Sequence, residues 1–214
     1  MNNLKLTSLM AGTLILAGTA SAGFTGMSFD TVENGMAGYT TYRAYAGVTA
    51  GGQVDAVYGD EACALLVTSG GGFYQNQFGG YGTPSMALFG FFPSLEWDSF
   101  VTIGLTDDAG DAMLDIGIDW AGFEAGGDIA TSNGTWFATP SDAQVFEVGG
   151  RVMIGQFTVA DGDHVYGSMN FQGKNADLSN WNADCVSFDS DIVPAPGALA
   201  LLGLAGIAAR RRRK

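Results

Sequence analysis

Thirty-three glycines among 214 residues cut the middle of this chain into short apolar runs, with a turn signal roughly every eight to twelve residues. That punctuation works against long helices, because glycine inside a helix costs about 1 kcal/mol relative to alanine. No long amphipathic helix is legible; residues 84–92 and 123–125 offer at most one turn each. The runs themselves favour strand. Residues 39–46 (YTTYRAYA) are rich in threonine and tyrosine, and residues 100–105 (FVTIGL) and 184–188 (DCVSF) read as further short strands. The clearest pattern lies at 164–172, where Val165, Gly167, Met169 and Phe171 alternate with His164, Tyr166, Ser168, Asn170 and Gln172. A period of two means one buried face. With residues 152–159 ahead of it and Asp161-Gly162 between, the pattern predicts a hairpin. No segment recurs at a fixed period. The expected fold is all-β, an antiparallel β-sandwich of jelly-roll or immunoglobulin-like kind with an aromatic core.

The two ends read differently. Lys5, the apolar run 6–17 and Ala20-Ser21-Ala22 form a signal peptide, with cleavage expected after Ala22. At the other end Val193-Pro194-Ala195-Pro196 makes a turn, residues 197–209 are apolar, and Arg210 to Arg213 are followed by Lys214. Thirteen helical residues cover about 20 Å, short of the roughly 30 Å hydrocarbon core. Snorkelling arginine stems and a helix starting near Pro194 narrow that gap. The cations set the cytoplasmic side. The division expected is therefore 1–22 signal peptide, 23–191 body and 192–214 sorting tail with a short transmembrane helix.

This tail resembles the PEP-CTERM sorting signal of Gram-negative bacteria, in a VPAPGA-like form, with Ala195 where the family carries glutamate. The resemblance implies export through an inner-membrane intermediate, processing by an exosortase-type enzyme at the proline turn, and delivery to the cell surface or extracellular matrix. The body also looks like an uncharacterised secreted β-domain of planctomycete proteins that carry such tails, through Gly72-Phe73-Tyr74-Gln75-Asn76, Phe92-Pro93-Ser94-Leu95-Glu96-Trp97 and Phe123-Glu124-Ala125-Gly126 among other stretches. That likeness implies secretion and a single domain, with no activity attached.

All 22 acidic residues lie in the body, against Arg43, Arg151 and Lys174, which leaves it a formal charge of −19. Such a surface repels nucleic acid and anionic lipid. Cys63 and Cys185 have no metal-ligand spacing. Outside the cytoplasm they either form a disulfide closing most of the domain or remain two small buried thiols.

Little catalytic chemistry is written in the chain. His164 is the only histidine, which removes a zinc cluster and a serine or cysteine triad. Paired carboxylates remain, with Glu96 and Glu124 in aromatic company. Asp107, Asp108 and Asp111 surround Gly110 and offer hard oxygen ligands for calcium, although the spacing is not that of an EF-hand. Among the aromatics, which a sandwich mostly buries, Phe73, Tyr74, Phe78 and Tyr81 stand apart. Glycines bracket them and Gln75, Asn76 and Gln77 interleave them, a mix of stacking and amide groups suited to carbohydrate. The expectation is a non-enzymatic exported surface or matrix protein, with a carbohydrate-binding module as the alternative and a small glycoside hydrolase behind it.

Overall fold

The computed structural model describes residues 23–191. The expected signal cleavage site at Ala20 and Ala22, the turn at Val193, Pro194, Ala195 and Pro196, and the transmembrane tail all lie outside the described residues. No helix among the described residues is long and apolar enough to cross a membrane.

The body is an all-β sandwich of two antiparallel sheets. The first contains β1 (Phe24–Val32), β2 (Tyr39–Val48), β5 (Phe100–Val101) and β9 (Arg151–Ala160), in the order β1-β2-β9-β5. The second contains β3 (Gln53–Gly59), β4 (Leu65–Thr68), β6 (Leu114–Ile116), β7 (Ile129–Thr131), β8 (Gly134–Phe137), β10 (Tyr166–Lys174) and β11 (Asn180–Asp189). β11 pairs along the whole of one edge of β10. β3 and β4 therefore share the other edge end to end, β3 against residues 170–174 and β4 against 166–168. Between them the chain leaves the sheet at residues 60–64, the excursion that carries Cys63.

Inward side chains of both sheets meet in one core, as alternation in a half-buried strand requires. Phe24 of β1 stacks on Phe171 of β10 with ring centroids 5.1 Å apart, and Phe29 of β1 meets Phe188 of β11 at 5.9 Å. Trp136, Phe123 and Phe157 are fully buried. Arg151, one of the three body cations, forks onto both carboxylate oxygens of Asp30 and lies 3.8 Å above the Tyr45 ring. This clamp joins β9 to β1 across β2.

The expected hairpin between β9 and β10 does not form. The Asp161-Gly162 turn is present, but it carries the chain from one sheet to the other. Both edges of β9 are taken, by β2 and β5, and both edges of β10 by β11 and by β3 with β4. The strand expected over 100–105 is also shorter. Thr102 and Gly104 still donate their N–H groups to Ile154 and Met153. At Gly104 the chain turns through φ +81°, where a β-carbon would strike the Gln144 carbonyl, and the ladder ends.

β9 is buried on both faces. Its outward residues Gln156 and Thr158 sit under the segment 93–99, a one-turn helix (Pro93–Trp97) followed by Asp98 and Ser99. Gln156 donates to the carbonyls of Glu96 and Asp98 at 2.9 and 3.0 Å, and Thr158 Oγ1 donates to that of Trp97 at 2.6 Å. Arg43 Nε in turn donates to Gln156 Oε1 at 2.9 Å. Buried polar groups need such partners, since each one left unpaired costs about 1–3 kcal/mol. The seam fixes the backbone on which the candidate site is built.

Candidate binding site

Two surface clefts lie side by side over this seam. The first, about 280 Å³, is lined by residues 74–78, Phe92 and Ser94. Tyr74 anchors its floor: the Tyr74 N–H donates to the Thr158 carbonyl at 2.8 Å. Asn76 organises the rest. Its amide nitrogen donates to Tyr74 Oη at 3.2 Å and Ser94 Oγ at 3.0 Å, while its Oδ1 accepts the Phe78 N–H at 3.1 Å. From beneath, Asp98 accepts the Asn76 N–H at 2.6 Å. A β-carbon on Gly79 would fall onto Asp98 Oδ2, so only glycine lets the loop lie this close over the carboxylate. Burial pushes Asp98 up to about 7 against the lowering pull of the Asn76, Ser99 and Gly80 N–H groups, with the Glu124 charge adding to the rise.

The expected aromatic platform divides in two. Tyr74 and Phe78 line the first cleft, whereas Phe73 and Tyr81 are core-facing. Phe73 is buried between Phe123 and Phe157 at centroid distances of 5.6 and 5.5 Å. Tyr81 stacks on Trp120 at 4.5 Å and donates its hydroxyl to Asp115 at 2.7 Å. Alternation explains the split, since Phe73 and Tyr74 leave opposite sides of an extended segment. Phe92 takes the place of the missing rings. It packs against Phe78 at 4.0 Å, with the two side chains 36% and 44% exposed. The run Phe89-Gly90-Phe91-Phe92-Pro93 was the available signal for it, because consecutive phenylalanines ahead of a proline cannot all turn inward.

The second cleft, about 400 Å³, lies between the β1–β2 turn and Asp161. Asn34 ties the turn down, accepting the Met36 N–H at 2.7 Å and donating to the Tyr39 carbonyl at 3.0 Å and Thr41 Oγ1 at 2.9 Å. Thr40 donates to Asp161 at 2.9 Å. Tyr39 lines this cleft, and sequence reading did not single it out as a ligand residue.

The aspartates proposed for calcium are not gathered. Asp107 accepts the Ala109 N–H at 3.0 Å, Asp108 the Met86 N–H at 3.0 Å, and Asp111 the Met113 N–H at 2.8 Å. Asp107 serves its own turn, Asp108 reaches back to the 85–88 segment and Asp111 also accepts from Thr83, and among the described residues no three acidic, histidine or cysteine side chains converge to hold a metal ion. Glu124 accepts the Tyr81 N–H at 3.3 Å, and Glu96 is exposed. His164 stands 3.7 Å from a carboxylate oxygen of Asp189 on one side and of Asp191 on the other.

Cys63 and Cys185 form a disulfide across 122 residues with Cα atoms 5.3 Å apart, within the usual 4.4–6.8 Å range. It joins the 60–64 excursion to a bulge in β11, where the ladder to β10 shifts between Met169 and Phe171 and Cys185 takes φ 54°.

No family model, curated protein or solved structure matches the chain. Fold and site together define a disulfide-closed, all-β sandwich with two adjoining surface clefts, one of rings, amides and hydroxyls and one that adds the carboxylates of Glu33 and Asp161 and small apolar side chains.

Proposed function

We propose that the chain is a non-enzymatic exported protein, a β-sandwich held at the cell surface or in the extracellular matrix and delivered there by its C-terminal tail. The observation that carries this reading is the Cys63–Cys185 bridge, because structural disulfides persist in oxidising compartments and are rare in the cytosol. The signal-like residues 1–22 and the tripartite tail 192–214 agree with it from the sequence side. An exosortase-type enzyme acting at Val193–Pro196 would release the body from its inner-membrane intermediate. Fractionation and intact-mass measurement in a Gram-negative host test the proposal. The expected species begins at Gly23, lacks Arg210 to Lys214, and contains no free thiol. A reduced, full-length chain in the cytosolic fraction would overturn it.

A second reading, a carbohydrate-binding module, is favoured by the first cleft, where the exposed Phe78–Phe92 pair adjoins the Tyr74 and Ser94 hydroxyls, both fixed by the Asn76 amide. Hydrolysis by Glu96 and Glu124 gains no such support, since neither lines either of these two clefts.

A further inference from the structure

The two clefts adjoin through a pair of rings. Tyr39 lines one and Tyr74 the other, and they meet edge to face with centroids 5.3 Å apart. Beneath them runs one chain of hydrogen bonds, from Asn34 to Thr41 at 2.9 Å, Thr41 to Thr158 at 2.7 Å, and Thr158 to the Trp97 carbonyl at 2.6 Å. Thr158 also accepts Tyr74 through its own carbonyl. The turn that builds the second cleft and the segment that builds the first thus share one buried foundation. They form a single surface whose parts hold fixed positions.

We infer that the two clefts are one continuous groove that takes a neutral polysaccharide chain more than one sugar long, an inference that rests on the carbohydrate-binding reading above. Three observations set the ligand class. Rings recur along the groove, from the Phe78–Phe92 pair to Tyr39, which is 38% exposed. Flat apolar faces in a row suit the C–H faces of successive sugar rings, and aromatic side chains supply that area with little loss of side-chain freedom. Between the rings stand the amides and hydroxyls of Asn76, Ser94, Asn34 and Thr40, with Val32, Met36 and Ala37 adding small apolar patches to the second cleft. The Asn76 amide spends both its N–H groups on the Tyr74 and Ser94 hydroxyls and so holds them in place before any ligand arrives, which lowers the cost of ordering them on binding.

Charge supplies the third observation. Neither cleft is lined by lysine or arginine. The body's cations are engaged elsewhere, Arg43 with Gln156, Arg151 with Asp30 and Lys174 with Asn180. Glu33 and Asp161 line the second cleft, and the body carries 22 acids. Phosphates and uronic acids meet repulsion with no partner to offset it. A compact apolar ligand would want enclosure, whereas these clefts are open. An uncharged polyol chain satisfies all three conditions.

The test uses the full chain in detergent, with insoluble cellulose, β-1,3-glucan and mannan as neutral probes, alginate gel as the acidic one and phosphatidylcholine vesicles as the lipid control. Retention on at least one neutral polysaccharide is expected, with none on alginate or vesicles. Tyr39→Ala at one end and Phe92→Ala at the other should each weaken retention about tenfold, the loss of one well-placed aromatic contact, while Tyr39→Phe should preserve it. Each ring is partly covered by a neighbouring ring, so a small fall in melting temperature is expected, and a cooperative transition retained well above the assay temperature separates loss of binding from loss of fold. Weakening by Phe92→Ala alone confines the sugar to the first cleft and overturns the continuous groove. Retention indifferent to both substitutions does the same and leaves carbohydrate binding standing at another site. Failure to bind any neutral polysaccharide overturns groove and carbohydrate reading together. Preference for alginate or vesicles overturns the ligand class.

Discussion

Asp98 accepts the backbone N–H of Asn76 at 2.6 Å from a position with no solvent exposure. The carboxyl is pushed up to about 7, chiefly by burial, while in an unfolded chain it titrates near 3.9. Between about pH 4 and pH 7 the folded protein therefore holds a proton that the unfolded chain has released. Stability falls as pH rises through that window and levels off above it, by up to roughly 4 kcal/mol. Asp98→Asn keeps an acceptor for Asn76 and removes the titration. Urea unfolding of both proteins from pH 5 to pH 8 should show a flatter profile for the variant and a more stable variant at pH 8. Parallel profiles would show that Asp98 does not titrate there.

Asn170 lies on the outward face of β10 yet is fully buried. Its Oδ1 accepts the Cys185 N–H at 2.7 Å, and its Nδ2 donates to the Cys63 carbonyl at 2.9 Å. One side chain thus holds both backbones that the disulfide joins. Asn170→Ala removes both hydrogen bonds, each worth about 0.5–1.5 kcal/mol where water can reach the groups left behind. Chemical denaturation should record a loss of roughly 1–3 kcal/mol on that basis, and a change below experimental error would mean that neither backbone group depends on Asn170.

The disulfide closes a loop of 122 residues. Constraint of the unfolded chain by so long a loop is worth about 4–5 kcal/mol in the chain-entropy account. Unfolding with and without reductant, compared with the Cys63→Ala/Cys185→Ala double variant, should show that loss in the reduced parent and no further effect of reductant on the variant. Equal stability in all conditions would exclude the bridge as a stabilising element.

Tyr81 is pushed up to about 12, first by its hydrogen bond to Asp115 and then by burial. Its phenolate should be missing from the ultraviolet titration until strongly alkaline pH. Tyr81→Phe should cost about 1.5–3 kcal/mol, the range for a hydrogen bond to a charged group. Asp115 also accepts the Trp120 indole N–H at 2.9 Å, and a variant as stable as the parent would show that this bond alone satisfies it.

Self-repulsion among the 22 body acids weakens as the Debye length falls from about 10 Å at 0.1 M salt to about 3 Å at 1 M. Melting temperature should rise with salt, equally for sodium and calcium at matched ionic strength, because Asp107, Asp108 and Asp111 each hold different partners. A saturable excess with calcium, lost in the Asp107→Asn/Asp111→Asn protein, would show the loop gathering around an ion.

Alternation in β10 was legible because period two follows from strand geometry alone. Asn170 broke the pattern because what buries it comes from residues 63 and 185, far away in sequence. The turn at Asp161-Gly162 was legible too, but a turn's chemistry does not say whether its two strands have free edges to share, and here neither has. The same limit governs the site. Glycine-bracketed aromatics pointed to Tyr74 and Phe78, whereas Phe73 fits the same description and sits in the core. Tyr39 reaches its cleft from the start of β2 and Phe92 reaches the other from the segment ahead of Pro93, and no local pattern connects them to Tyr74. Asp98 sits between Trp97 and Ser99 with nothing to mark it, since its burial is made by the 74–80 loop laid over it.

The central partners in both sheets arrive late. β2 waits for β9 and β3 for β10, pairings that span more than a hundred residues of chain. Until residues 151–174 are available, the first sheet amounts to the β1–β2 hairpin, and two-stranded hairpins are marginal in water. β3 and β4 have no common strand to align them. Long-range pairing of this kind is slow, since the chain must close large loops before any contact rewards it. A nascent chain with this topology therefore stays open for most of its length and becomes a sandwich only near its end. Under the export proposed above, that delay would keep the chain passable through a narrow translocation channel, and the act of completing the fold would fall to the last strands through.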